Sequence, residues 1–270
     1  MTTILDFENV FKEINYPSGE WHLQAVDPLP HHRSVIVAKN VRDFNGLMKC
    51  QVGYTILESN WRSVNWVIPF FPFARDDRRN SVLDGTELLF ATQIAANVGA
   101  AVVDPHSDVT TLNLRYYPQS EVVREFYANG LFNGDPVVAI PDAGAAKKAY
   151  TWISEYGLDH VQCVKRRDPA TGKLSGFQVI GNGTPLAGRD IIIVDDICDG
   201  GGTFNGLAEE LLKYRPNNLR LAVTHGLFTK GMEELTANFQ QIYALDHIKP
   251  LRGRVTYCSL NNIIERGKLI

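Results

Sequence analysis

Between Asp195 and Thr203 the chain sets three carboxylates, three consecutive glycines and a hydroxyl, within the stretch "GRDIIIVDDICDGGGTFNGLAEEL" at residues 188–211. Gly200, Gly201 and Gly202 allow backbone angles that turn consecutive N–H groups into one concavity. The helical pattern that follows adds the positive end of its dipole, and Thr203 adds a hydroxyl. Together these suit a phosphate monoester. Two common phosphate loops do not fit: a P-loop needs a lysine that is missing here, and the dinucleotide fingerprint needs glycine where Asn205 stands. Asp195 and Asp196 beside such a cradle make sense for a sugar phosphate, whose vicinal hydroxyls donate to carboxylates while the loop, from Asp199 to Thr203, holds the phosphate. An acidic glycine-rich turn alone is ordinary, but an aliphatic run leading into DDxxDGGGT is specific.

Other reactive side chains are less telling one by one. They are Arg75, Asp77 and Arg78 in "FARDDRR", His106 in "VVDPHSD", Asp142 in "IPDAGAAKKA", and Lys165 and Arg167 in "HVQCVKRR". A lone histidine is usually structural, and a basic run is usually a solvated turn. What unites them is position, because each lies at the end of a short apolar run. Those runs include "SVIVAKN", "VNWVIPFFPFARDD", "AAVVDPHSD", "PVVAIPDAG", "HVQCVKRR", "DIIIVDDICDGGG" and "LRLAVTHGLF". Four to six residues rich in Val and Ile fit strands buried on both faces. Helical patterns such as Thr86–Val98 and Gly206–Tyr214 lie between them, so the chain is expected to be α/β with parallel sheets. Ligands bind such sheets at the carboxyl ends of the strands, where these residues stand. The segment after "KRR", "RDPATGKLSGFQVIGNGTPLAG", reads as a mobile flap that brings Lys165 and Arg167 to a phosphate. A boundary is expected in "LNLRYYPQSEVVREFYANGLFNGDP", giving domains 1–120 and 121–270.

Composition narrows the class. Of 270 residues, 44% are hydrophobic and 21% charged, the profile of an ordinary globular protein, and the net charge of -3 offers no basic field for nucleic acid. Four cysteines, Cys50, Cys163, Cys198 and Cys258, form no CxxC pair, which argues against zinc or a disulfide framework and for a reducing cytoplasm. The start "MTTILDFENVFKEI" has no signal-peptide pattern, and no apolar run is long enough to span a bilayer.

The 188–211 stretch resembles the phosphoribosyl-diphosphate motif of type I phosphoribosyltransferases, and other segments narrow the likeness to ribose-phosphate pyrophosphokinases. "YPSGEWHLQ" is similar to that family's FxDGE segment and "VIPFFPFARDDRR" to its IPYFxYARQDR segment. "VVDPHSD" resembles its VDLHA turn, "IPDAGAAKKA" its PDxGGxxRA loop, "VKRRDP" its KRR and "AVTHGLF" its THGxF strand end. The matches run in order across about residues 16–230. The resemblance implies two tandem phosphoribosyltransferase-like domains, and transfer of the diphosphoryl group of ATP to the anomeric hydroxyl of ribose 5-phosphate with release of AMP. It also implies Mg2+, with His106 and Asp142 as protein ligands, and Lys165 and Arg167 as the catalytic cations. ATP falls to Tyr16, Glu20, Arg75, Asp77, Arg78 and His106, and the ribose phosphate to Asp195, Asp196, Asp199, Gly200, Gly201, Gly202 and Thr203. A homo-oligomer, at least a dimer, is implied because this family's FxDGE segment reaches a neighbouring subunit's ATP. Three departures stand out: Asp76 replaces a glutamine, Ser18 an adenine-facing aspartate, and Gly200 a threonine. Gly200 is expected to open space beside the 5-phosphate, as an acceptor with a longer 5-substituent such as ADP-ribose would require. Rival expectations are a phosphoribosyltransferase that consumes the diphosphorylated sugar, and a regulatory homologue without catalysis.

Overall fold

Ser34–Val37, Asn65–Ile68 and Ala100–Val103 are short, branched or small, and almost wholly apolar, so they gain most where both faces are covered. The computed structural model describes residues 3–30, 34–60, 62–77, 86–167, 174–181, 183–248 and 254–267, excepting the side chains of 167, 174 and 175. It divides into two units, 1–118 with 264–270, and 119–263. The sequence had assigned those last residues to the second half.

The first unit runs β1 (Thr3–Asp6), α1 (Phe7–Val10), β2 (Phe11–Asn15), β3 (Trp21–Ala25), β4 (Ser34–Val37), α2 (Phe44–Ser59), β5 (Asn65–Ile68), α3 (Glu87–Asn97), β6 (Ala100–Val103), α4 (Asp108–Thr111) and β7 (Arg115–Tyr117). Its main sheet has the order β1-β4-β5-β6-β7, parallel throughout, while β2 and β3 form a separate antiparallel hairpin. Asp43 starts α2 by accepting from the Gly46 N–H at 2.8 Å, which satisfies a helix-end donor. Trp66, Leu47, Leu57 and Ile68 are buried in its core.

The second unit runs α5 (Gln119–Ala128), β8 (Pro136–Ile140), α6 (Ala143–Tyr156), β9 (Asp159–Arg167), β10 (Leu174–Ile180), β11 (Asp190–Cys198), α7 (Gly202–Leu212), β12 (Asn218–Gly226), α8 (Glu233–Asn238), β13 (Gln241–Leu245), β14 (Val255–Cys258) and α9 (Leu260–Arg266). The sheet order is β10-β9-β8-β11-β12-β13-β14, with only β9 and β10 antiparallel. Central β11 is buried from Ile191 to Val194, as its aliphatic run requires. The entering end of β11 is electrostatically complete. There Asp190 accepts from Asn217 at 2.8 Å, Asn218 at 2.7 Å and Arg220 at 3.0 Å.

The flap expected after Arg167 needs correction. Residues 174–180 form β10, paired with β9 over the register Phe177↔Lys165 and interrupted by an irregularity between Leu174 and Gly176. The reason is Phe177, which alternates inward, is 5% exposed, and belongs to the second unit's core against α7. Residues 168–173 lie outside the described ones. All four cysteines are buried and free, and no helix among the described residues is long and apolar enough to cross a membrane.

Candidate active site

In the second unit, β8, β9 and β11 bring three predicted groups to neighbouring strand ends. Asp142 follows β8 and caps α6, its Oδ1 accepting from the N–H groups of Gly144 at 3.0 Å and Ala145 at 3.1 Å. Its Oδ2 lies 3.1 Å from the Lys165 ammonium on β9. Burial alone would raise this carboxyl, but the Ala145 amide, Lys165 and the Gly144 amide outweigh it and hold the carboxyl below the usual range. Arg167 lies two residues beyond Lys165 on the same strand.

At the end of β11 the paired acids differ. Asp196 is 7% exposed, and the Lys148 ammonium on α6 sits 2.8 Å from its Oδ2. Asp195 accepts its neighbour's backbone N–H at 2.9 Å. Burial, and next the Asp196 carboxylate, push the Asp195 carboxyl well above the ordinary carboxylate range; Asp142 adds to this and Lys148 offsets part of it. In contrast to the single acid Asp190 at the entering end, this end of β11 sets two carboxyls side by side.

The loop after β11 then turns sharply. Gly201 adopts φ 76° and ψ -8°, left-handed backbone that favours glycine, and starts α7. The first amides of α7, at Gly202, Thr203 and Phe204, have no acceptor within the helix and point their donors out of its end. The loop is tied to the end of β12: Thr229 donates its N–H to Asp199 O at 3.0 Å and its hydroxyl to Asp199 Oδ1 at 2.7 Å. Asn205, where a dinucleotide fingerprint would have glycine, instead links α7 to α8 through Glu234 at 2.9 Å.

The first unit holds the other predicted residues. Arg75, Asp77 and His106 follow the adjacent strands β5 and β6, Arg75 and His106 exposed and Asp77 half-buried. Both loops are strained: Phe73 has φ 62° and Asp104 has φ 40°, values rare for residues with a Cβ. Phe73 is held by stacking on Phe44 at 4.4 Å, and Asp104 by its N–H to Tyr117 O at 2.8 Å. Tyr16 and Glu20 lie elsewhere, at the tip of the β2–β3 hairpin, where Ser18 donates to Glu20 at 2.8 Å and Tyr16 is 50% exposed. Arg78 falls outside the described residues.

A model of the phosphoribosyl transferase domain matches residues 124–239, which span the β11–α7 loop. The ribose-phosphate pyrophosphokinase of Thermococcus kodakarensis is 28% identical over 196 residues, 68% of this chain and 65% of that protein. That of Mesorhizobium japonicum is 28% identical over 212 residues, 73% of this chain and 65% of that protein. The Pyrococcus furiosus protein of the same name is 27% identical over 234 residues, 81% of this chain and 78% of that protein. A crystal structure of phosphoribosylpyrophosphate synthetase from Mycobacterium smegmatis superposes with a TM-score of 0.75 and 16% identity, covering 98% of this chain and 99% of that one. The chain is similar to ribose-phosphate pyrophosphokinases, at 27–28% identity to these three. Its fold is two tandem phosphoribosyltransferase-like domains, and it spans about 65% of the length of the Thermococcus and Mesorhizobium relatives.

The structure adds residues that sequence reasoning passed over. Lys148 pairs with Asp196, and its signal was its place in "AGAAKKA", down the helix that Asp142 caps. Thr229 anchors the loop from a strand end already singled out as "AVTHGLF". Lys230 packs on Gly200, and no local pattern marked it. That contact also corrects the expectation of open space beside Gly200, because the stem of Lys230 fills it.

Proposed function

We propose that the protein is a Mg2+-dependent pyrophosphokinase acting on a ribose with a free anomeric hydroxyl and a phosphorylated 5 position. The acceptor oxygen attacks the β-phosphorus of ATP and the bond from that phosphorus to the α,β-bridging oxygen breaks. AMP leaves with that oxygen, and the hydroxyl proton is released. The observation that carries this proposal is the β11–α7 junction: two adjacent carboxylates, Asp195 and Asp196, at a strand end, followed directly by a helix-start anion cradle. Vicinal hydroxyls satisfy the first and a 5-phosphate the second, with the polarity of ribose 5-phosphate.

Under this proposal Asp195 and Asp196 accept from the 2- and 3-hydroxyls, and Asp199 to Thr203 hold the 5-phosphate. Lys165 rests on Asp142 and exchanges that carboxylate for the transferred phosphates, joined by Arg167. Arg75, Asp77, Arg78 and His106, with Tyr16 and Glu20, serve ATP. A self-association into at least a dimer is supported by the exposed Tyr16 at the hairpin tip and by the family likeness of that segment. A cytoplasmic setting is supported by four free, buried cysteines.

The donor chemistry of the second unit fits a hard cation, since the carboxylates of Asp142 and Asp195 stand on adjacent strand ends and Asp142 raises the cost of ionising Asp195. Among the described residues no group of three or more His, Cys, Asp or Glu forms a cage. Under the proposal, phosphate oxygens therefore complete the shell around Mg2+ held at Asp142. When bound, the ion would neutralise charge on the transferred phosphates.

The acceptor is ribose 5-phosphate or a 5-substituted ribose such as ADP-ribose. The test is AMP release from ATP and Mg2+ with each acceptor, with product masses measured. A diphosphorylated sugar formed together with AMP supports the proposal. Consumption of phosphoribosyl diphosphate with a base and no ATP would make it a phosphoribosyltransferase, and silence in both assays a non-catalytic homologue.

A further inference from the structure

Gly200 and Lys230 are thirty positions apart in the chain and touch at the phosphate loop. A Cβ placed on Gly200 would stand 3.1 Å from Cδ, 3.2 Å from Cε and 3.3 Å from Cγ of Lys230. The aliphatic stem therefore lies flat across the glycine. Distances of 3.0–3.4 Å are tighter than ordinary carbon contacts, so any side chain at 200 would push the lysine aside. Thr229, the preceding residue, is bonded twice to Asp199, at 3.0 Å and 2.7 Å, which fixes where the Lys230 stem begins. The ammonium is one bond beyond Cε and so remains at the loop. Among the described residues no carboxylate pairs with it, and Glu234 of the adjoining α8 is engaged by Asn205 instead.

An exposed lysine normally extends into water, where its stem keeps its rotamer freedom. Holding the stem across a bare backbone next to the first turn of α7 restricts that freedom. It also concentrates positive charge where α7 already presents free N–H donors. Resting on the pyrophosphokinase activity proposed above, we propose that Lys230 determines specificity at the 5 end of the acceptor. Its ammonium pairs with phosphoryl oxygens attached at the 5 position, and residue 200 is glycine so that the lysine can reach them. The ligand chemistry is an anionic phosphoryl group on a sugar 5-oxygen, either a terminal monoester or the first phosphoryl of a diphosphate.

The test is a kinetic set on the full chain: Lys230→Met, which keeps the stem and removes the charge, Lys230→Arg, Gly200→Ala, and Gly200→Ala combined with Lys230→Met. Initial rates of AMP release are measured with ribose 5-phosphate and with ADP-ribose. Lys230→Met should raise the acceptor KM at least tenfold, far more than it changes the KM for ATP, and Lys230→Arg should restore most of the loss. Gly200→Ala should resemble Lys230→Met, and adding it to Lys230→Met should cost less than a further twofold, because both act through one contact. A larger effect with ribose 5-phosphate assigns the pairing to a terminal monoester, and a larger effect with ADP-ribose to a diphosphate. An acceptor KM within twofold of the parent in Lys230→Met, with both acceptors, would overturn the proposal. Should the parent release no AMP with either acceptor, the pyrophosphokinase activity fails on its own. Lys230 is then judged by calorimetric titration with ribose 5-phosphate alone, where weakening of tenfold or more in Lys230→Met supports its role and unchanged affinity removes it.

Discussion

Lys148→Met should destabilise the protein in a manner that depends on pH. The Lys148 ammonium lies 2.8 Å from Asp196 Oδ2, with side chains 24% and 10% exposed. At an effective dielectric near 20 the raw attraction is roughly 6 kcal/mol, from which the desolvation of both groups must be subtracted. Removing one partner of a fully buried pair costs about 3–5 kcal/mol; with the lysine reaching water, about 1–2 kcal/mol is expected. Lys148 also lowers the Asp195 carboxyl, so its loss leaves two adjacent acids with less compensation. The folded protein would then hold protons to a higher pH than the unfolded chain does. A carboxyl raised on folding makes stability fall as pH climbs from the unfolded value towards the folded one. The penalty should therefore be small at pH 4, grow with pH and level off. In a chain of this size it corresponds to a melting point lowered by about 2–6 °C at pH 8. Scanning calorimetry of parent, Lys148→Met, Asp196→Asn and the double variant across pH 4–8 measures it. If Lys148→Met melts with the parent at pH 8, or if the double variant loses the sum of both single effects, the ion pair does not stabilise the acid pair.

Three further outcomes follow from the same geometry. Lys165→Ala should lower kcat about a hundredfold, the worth of ~3 kcal/mol from one cation acting on charge that develops late, while the acceptor KM changes little; a kcat within threefold of the parent rules that role out. Asp195→Asn removes a carboxyl that folding holds above its usual range, so the variant should gain on the parent by about 1 kcal/mol as pH rises from 4 to 8 and gain nothing at pH 4; a pH-independent difference in melting point contradicts this. Because Asp195 and Asp196 are assigned to sugar hydroxyls, 2-deoxyribose 5-phosphate should react poorly and Asp196→Asn should weaken acceptor binding while sparing ATP; calorimetry in which ATP affinity collapses instead would move the acids to the nucleotide or its metal.

The α/β class was readable because it rests on local chemistry. Ile191–Val194 could be buried only in the middle of a sheet, and β11 is its fourth strand of seven. The β11–α7 loop was readable for the same reason, since left-handed backbone at Gly201 and free N–H groups at a helix start are properties of a short segment. The descending side of the supposed flap was misread because glycine, threonine and proline density describes a loop well. What makes residues 174–180 a strand is Phe177 finding a core across the chain.

The charge relations around the site were out of reach of any local pattern. Asp190 and Asp195 belong to one strand and have the same side chain, yet one is surrounded by Asn217, Asn218 and Arg220 while the other is crowded by Asp196 and burial. Lys148 meets Asp196 across 48 residues and Lys165 meets Asp142 across 23, each because separate strands and helices deliver them to one rim. Residue types and their immediate spacing are enough to say which chemistry the chain carries and at which strand ends. Which cation faces which acid, which carboxyl is raised and which lowered, and that Lys230 lies on Gly200 all depend on distances between elements remote in sequence. Coulomb energy and desolvation vary with those distances and with burial, and neither is written in the order of residues.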